Sequence, residues 1–159
     1  GGEIGQWSEW NAHQGLDWGL LEHEPHRALQ RFVVDLNSLL RREPALYEVD
    51  FSPNGFEWID FGDYQNSIVS FLRKAKDGTD CLVFVFNFTP VPRFNYRIGV
   101  PFLGFYREVL NSDSGRYGGS NLGNAGGVQA EEVWWHGRPY SIRLTLPPLS
   151  GLVFKPSRT

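Results

Sequence analysis

The 159-residue sequence contains no methionine, a single cysteine (Cys81) and no run of basic residues. Each shortage closes off a class of protein. One cysteine excludes an internal disulfide framework and the paired-cysteine zinc sites, and His13, His23, His26 and His136 show no metal-ligand spacing. No metal site is expected, and a lone thiol fits a reducing compartment such as the cytoplasm. With 15 basic and 18 acidic residues and a net charge of -3, the chain lacks the electrostatic footprint of a nucleic-acid binder. No apolar run approaches the roughly 20 residues of a membrane-spanning helix, so neither nucleic acid nor a membrane is an expected partner. The first residues carry no signal-peptide pattern. Because no initiating methionine is present, residue 1 is expected to be an internal position of a longer protein, which deprives that missing pattern of meaning. The glycine-rich stretch GGSNLGNAGG, residues 118–127, lacks the Lys-Ser/Thr ending of a phosphate loop and the strand-turn-helix context of a dinucleotide fingerprint. A connection between strands is expected there, and no cofactor.

Aromatic residues, in contrast, are plentiful: 6 Trp, 6 Tyr and 12 Phe. Three tryptophans fall in the opening GGEIGQWSEWNAHQGLDW, a segment with neither helical nor alternating period. A loop presenting Trp7, Trp10 and Trp18 would offer flat apolar faces to sugar rings, with Glu, Gln and Asn beside them for hydroxyl groups. On composition alone, that role and plain packing stand level. Glu3, Glu9 and Asp17 are close in sequence, but glycosyl transfer with retention needs two carboxyl groups about 5–5.5 Å apart. No element holds these three toward one point, no Ser-His-Asp or Cys-His set stands out, and no catalytic residue is expected in this chain. Cys81, among apolar neighbours, is expected to fill core space. Trp58, Trp134 and Trp135 lie in strand-like runs, where packing between sheets or between domains is the expected use. Asn87-Phe88-Thr89 matches a glycosylation pattern but ends an apolar run ahead of Pro90, and no sugar attachment is expected.

The chain changes character near residue 45. Residues 25–42, PHRALQRFVVDLNSLLRR, repeat apolar groups at helical spacing. Pro25 suits the first turn, Arg41 and Arg42 complement the negative end of the dipole, and Pro44 stops the helix. Beyond it the period moves toward 2. Residues 67–74 and 82–88 flank an Asp77-Gly78 pair that favours a tight hairpin turn. Residues 140–146 alternate, and shorter strands are expected at 57–61, 96–100, 106–110, 128–133 and 152–155. Roughly seven or eight strands between Pro, Gly, Asn and Asp clusters argue for an antiparallel sandwich.

GGEIGQWSEWN and LDW ahead of the helix, then NFTPVPR, YRIGVP, YREVLNSDSGRYGGSNLGNAGG and EEVWWHGRPYSIRLTLPPLSGLVFKP, resemble the C-terminal end of glycogen (1,4-α-glucan) branching enzymes of the α-amylase superfamily. The resemblance covers essentially the whole chain. It implies a mostly β fold: residues 1–44 as the last strand end, loop and helix of a catalytic (β/α)8 barrel, and residues 45–159 as a C-terminal antiparallel β-sandwich. Loops at the C-terminal ends of barrel strands form the active-site face. The resemblance therefore implies substrate-binding positions at Trp7 and Trp10 on the edge of an α-glucan cleft, with Glu3 in a supporting role at the barrel top. It also implies glycogen biosynthesis: an α-1,4 bond is cut and the segment moved to a 6-hydroxyl through a covalent glycosyl-enzyme, using an Asp nucleophile, a Glu acid/base and a second Asp that all lie upstream of residue 1. The implied partners are α-glucan chains and the upstream barrel. The competing readings are a free-standing carbohydrate-binding sandwich, a purely structural one, and the end of a related amylase or glucanotransferase. On a strand, Trp134 and Trp135 would point to opposite faces, leaving at most one for a sugar.

Overall fold

In the computed structural model, which describes residues 1–157, the first regular element starts where the sequence supplies a start: α1 runs Glu24–Arg42 with Pro25 in its opening turn, where a missing N–H costs nothing. Arg41 and Arg42 close it and Pro44 prevents continuation. Eight strands follow among the described residues: β1 (Phe56–Asp63), β2 (Ile68–Lys74), β3 (Cys81–Asn87), β4 (Arg93–Val100), β5 (Phe105–Asn111), β6 (Gly127–Gln129), β7 (Tyr140–Leu146) and β8 (Ser150–Pro156). Short 3-10 turns occupy Gly2–Ile4, Trp18–Glu22, Pro44–Leu46, Pro53–Gly55 and Gly115–Tyr117. No described helix is long and apolar enough to cross a membrane.

The strands form two antiparallel sheets of unequal size, β1-β2-β3-β8-β5-β6 and β4-β7. The alternation of β7 explains the arrangement, since Ile142, Leu144 and Leu146 are buried against the larger sheet. Val83, Val85, Leu152, Phe154 and Tyr106 meet them from the other side, giving one core between the layers. Cys81 sits in that core, 1% exposed, as expected of a small filler, and burial pushes its thiol up to about 11. The Tyr106 hydroxyl donates to the Phe102 carbonyl at 3.0 Å and accepts from the Phe102 N–H at 3.1 Å, so its polar tip is satisfied inside.

The larger sheet has a second apolar face. Leu82, Leu110 and Val153 point outward and share a smaller core with Leu39 of α1 and Ala45. Asn87 knits two loops at the sandwich end: its Nδ2 donates to the Val91 and Pro147 carbonyls at 2.9 and 2.8 Å, and its Oδ1 accepts from the Thr89 N–H and hydroxyl at 3.0 and 2.8 Å. At 2% exposed, this asparagine is a structural residue with no room for a glycan.

The hairpin expected around Asp77-Gly78 forms: β2 and β3 pair antiparallel, the Ala75 N–H donates to the Asp80 carbonyl, and Lys76–Thr79 make the loop, with a positive φ of 35° at Gly78 but not at Asp77. Two local expectations are corrected. The strand expected at 128–133 ends at Gln129, after which a single bridge, Glu131 to Ser141, is all that continues it. Trp58, Trp134 and Trp135 are not in the core: they are 47%, 69% and 43% exposed. Trp134 and Trp135 lie in a loop, where the alternation of strand neighbours does not apply, and Trp58 faces outward from β1 beside Phe71.

Candidate functional site: the tryptophan-bearing segment

Residues 1–23 are held to α1 by a few buried groups and are otherwise open. Ile4 and Leu20 are buried anchors, 3% and 5% exposed. The buried His26 ring on α1 lies 2.7 Å from the Ile4 carbonyl through Nδ1, which assigns the proton to that nitrogen. Between these anchors the chain loops outward, pinned by Gln6, whose Oε1 accepts from the Asp17 N–H at 3.0 Å and whose Nε2 donates to the Ser8 carbonyl at 3.3 Å. That crossing closes a loop over the ten residues 7–16 and explains how a segment without regular period still has a defined shape.

The loop encloses an open cleft of about 400 Å³, with Trp10, Glu9, Gln6, Asn11 and Gln14 among its lining residues. Trp10 is 85% exposed. One flat apolar face beside a carboxylate and three amides is the mixed surface that a polyhydroxylated ligand requires. Of the expected substrate-binding residues Trp7, Trp10 and Glu3, only Trp10 lines this cleft. Trp7, 81% exposed, stands edge-on to the His26 ring at 5.4 Å. Glu3 projects from the first 3-10 turn with its side chain 70% exposed. Trp18 begins a 3-10 turn and is 60% exposed. Gln6, Asn11 and Gln14 were missed as individuals, although amides flanking exposed tryptophans are the signal that would have found them.

The chemistry available is binding. Glu9 is the one carboxylate among the cleft's lining residues, whereas glycosyl transfer with retention works through a pair of carboxyl groups about 5–5.5 Å apart. Among the described residues, no cluster of three His, Cys, Asp or Glu side chains could hold a metal ion.

The glycine-rich connection after β5 resembles an anion cradle only until its donors are traced. The Asp113 carboxylate accepts from the Ser120 and Leu122 N–H groups at 3.1 and 3.2 Å, and the Glu108 carboxylate accepts from the Asn124 N–H at 3.2 Å. The protein's own anions occupy the site. The loop also clasps α1: Tyr117 donates to Asp35 at 2.7 Å, and burial together with that bond pushes its phenol up to about 12. At the other end of the helix, Lys155 of β8 bridges Glu43 and Asp80. Burial alone would lower the Lys155 pKa, but the two carboxylates carry it above the ordinary lysine value.

Comparison with known proteins bears on all of these elements. The chain is 55% identical over 155 residues to the 1,4-alpha-glucan branching enzyme GlgB of Aquifex aeolicus, an alignment covering 98% of this chain and 25% of that protein. Against the branching enzyme GlgB of Synechococcus elongatus it is 56% identical, covering 98% and 20%. Against that of Rubrobacter xylanophilus it is 54% identical, covering 98% and 22%. The chain thus spans a fifth to a quarter of the length of these relatives. Residues 58–157, which hold all eight strands but for the start of β1, match the alpha amylase C-terminal all-beta domain. The chain belongs to that family.

Proposed function

We propose that this chain is the C-terminal part of a 1,4-α-glucan branching enzyme, with residues 1–44 completing a catalytic barrel and residues 45–159 forming the sandwich that braces it. The observation that carries this reading is the reach of the likeness: identity near 55% extends over 98% of the chain, well beyond the all-β domain and into the tryptophan-bearing segment and α1. A generic sandwich would give no reason for that segment to be alike. The reaction breaks an α-1,4 glycosidic bond, forms an ester between the released glucan and an aspartate, and passes a proton to the departing 4-hydroxyl. A 6-hydroxyl then displaces the aspartate and yields its proton, so bonds and protons balance without net water. The reacting carboxylates belong to the upstream part. The role of this chain is to supply Trp10, with Trp7 and Glu3 nearby, at the edge of the α-glucan cleft. A cytoplasmic setting fits the single, buried, unpaired cysteine.

The test is an assay for new α-1,6 linkages on linear α-glucan. The longer polypeptide forms them and the 159-residue chain does not; branches made by the chain alone, above a denatured control, overturn the division of labour. In the longer enzyme, Trp10→Ala weakens processing of long glucans by about 0.5–1.5 kcal/mol, the range for a single aromatic contact. Unchanged kinetics with the fold intact remove Trp10 from the cleft.

A further inference from the structure

The segment 1–23 is stapled at both ends to adjacent residues in the first turn of α1. Arg27 holds its end, with Nη1 donating to the Leu21 and Glu22 carbonyls at 3.1 and 2.9 Å. His26 holds its start, donating from Nδ1 to the Ile4 carbonyl at 2.7 Å across 22 positions of sequence. Of the three buried residues of α1, His26, Ala28 and Leu39, only His26 is polar. A buried imidazole is costly unless it is hydrogen-bonded, so packing alone gives no reason for a histidine there, whereas the Ile4 carbonyl does.

The contact fixes more than one carbonyl. Ile4 ends the first 3-10 turn, and Gly5 caps it with a φ of 64°, a left-handed value that suits glycine. A Cβ on Gly5 would lie 3.0 Å from Leu29 Cδ2 and 3.6 Å from His26 Nδ1, so the backbone passes directly over α1 at this point. From there the chain enters Gln6, whose side chain bonds the Ser8 carbonyl and the Asp17 N–H, and then Trp7, whose ring stands edge-on to His26 at 5.4 Å. The direction in which residues 7–16 project, and with it the place of Trp10 on the cleft wall, is thus set at His26.

We propose that His26 is the positioning residue of the tryptophan loop: its Nδ1–H holds the Ile4 carbonyl and its ring carries Trp7, so that Trp10 meets a long α-glucan already ordered. The inference rests on the reading of Trp10 as an edge of the α-glucan cleft. His26 is buried and is not among the residues that line the cleft, so it acts through the loop and touches no sugar. Without the tether, the loop must be ordered at the expense of glucan binding. That cost falls on ground state and transition state alike, which raises KM and leaves kcat to the upstream carboxylates.

The experiment compares His26→Ala, His26→Phe and His26→Asn in the longer polypeptide, with Val83→Ala, a truncation in the sandwich core, as control. Phenylalanine keeps a ring and loses the donor; asparagine can offer an N–H where Nδ1 stood. Branching kinetics on long linear α-glucan are measured beside amide hydrogen exchange, resolved by peptide with mass spectrometry. His26→Ala and His26→Phe raise KM about fivefold or more with kcat within about twofold of the parent. They also speed exchange over residues 4–17 about tenfold while the strands exchange as before. His26→Asn brings both readouts back toward the parent, and Val83→Ala lowers the urea midpoint without moving KM. Should His26→Ala fail to fold, His26→Phe carries the measurement. An unchanged KM overturns the proposal, as does an asparagine variant no better than alanine, or a joint loss of kcat and stability that Val83→Ala reproduces. A parent enzyme that makes no α-1,6 linkages sinks the functional reading alone: faster exchange rescued by asparagine then upholds the ordering role of His26, and unchanged exchange overturns it.

Discussion

Asn87→Ala removes all four hydrogen bonds that tie the Phe88–Val91 loop and Pro147 to the end of β3. A typical intramolecular hydrogen bond is worth about 0.5–1.5 kcal/mol net. The lower half of that range applies at Thr89 and Val91, which are part-exposed and can rehydrate. The Pro147 carbonyl keeps the Ser150 hydroxyl, which donates to it at 2.8 Å, so no buried acceptor is fully orphaned. The expected loss is therefore about 2–4.5 kcal/mol, or roughly 4–18 °C in Tm for a domain of this size. Urea unfolding of the 159-residue chain, followed by far-ultraviolet circular dichroism and by tryptophan fluorescence, measures it, with coincidence of the two probes checking two-state behaviour. Asn87→Asp sharpens the test, because its carboxyl would face two carbonyl oxygens in a buried site and its folded pKa would rise. Such a group stabilises below its unfolded value, about 3.9, and loses that contribution as pH rises through the folded value. The aspartate variant should thus approach the parent in acid and fall away toward neutrality. An alanine variant within about 0.5 kcal/mol of the parent, a clear departure from the additive estimate, or an aspartate variant whose deficit does not change with pH would refute the reasoning.

Further expectations concern the core, the tryptophan loop and one histidine. Tyr106→Phe strands the Phe102 N–H and carbonyl in the interior, and the urea midpoint should fall by the equivalent of about 1–2 kcal/mol; no change would mean that water replaces the hydroxyl. Gly99→Ala would place a Cβ 2.1 Å from the Trp135 carbonyl oxygen, so the loop must move off β4 at a cost of about 1–3 kcal/mol, visible as lost stability and a shifted tryptophan emission. Burial lowers the His136 pKa, against the pull of Asp60, whose Oδ2 lies 3.6 Å away. With the folded value below the unfolded one of about 6.5, its contribution is present above that pH and is lost as pH falls through the folded value. His136→Asn, which tolerates the φ of 48° there, should flatten the decline in urea midpoint between pH 7.5 and 5; an unchanged slope assigns the decline to other groups.

Periodicity and punctuation made much of this fold legible. The apolar repeat of residues 25–42 with Pro25 and Pro44 bounds α1 to within a residue, and alternation in β7 correctly divides Ile142 and Leu144 from Arg143. The tryptophans were legible only as unusual. Trp58, Trp134 and Trp135 look like core residues because size and strand context usually imply burial, whereas Trp58 faces outward from β1 and the other two lie in a loop, all three largely exposed. The cleft was half legible: Trp10 and its amides could be read as a sugar-facing set, but only the Gln6–Asp17 crossing reveals that Trp7 turns toward His26 while Trp10 turns into the cleft.

Local patterning by itself determined most of the elements, the antiparallel class and the burial of Cys81, because period, turn chemistry and residue type act over a few neighbours. Tertiary structure alone decided that the sheets are six- and two-stranded, that Asp113 and Glu108 fill the glycine-rich loop, and that His26 meets the Ile4 carbonyl. Those outcomes depend on pairings between residues dozens of positions apart, and no local signal carries which distant partner a side chain will meet.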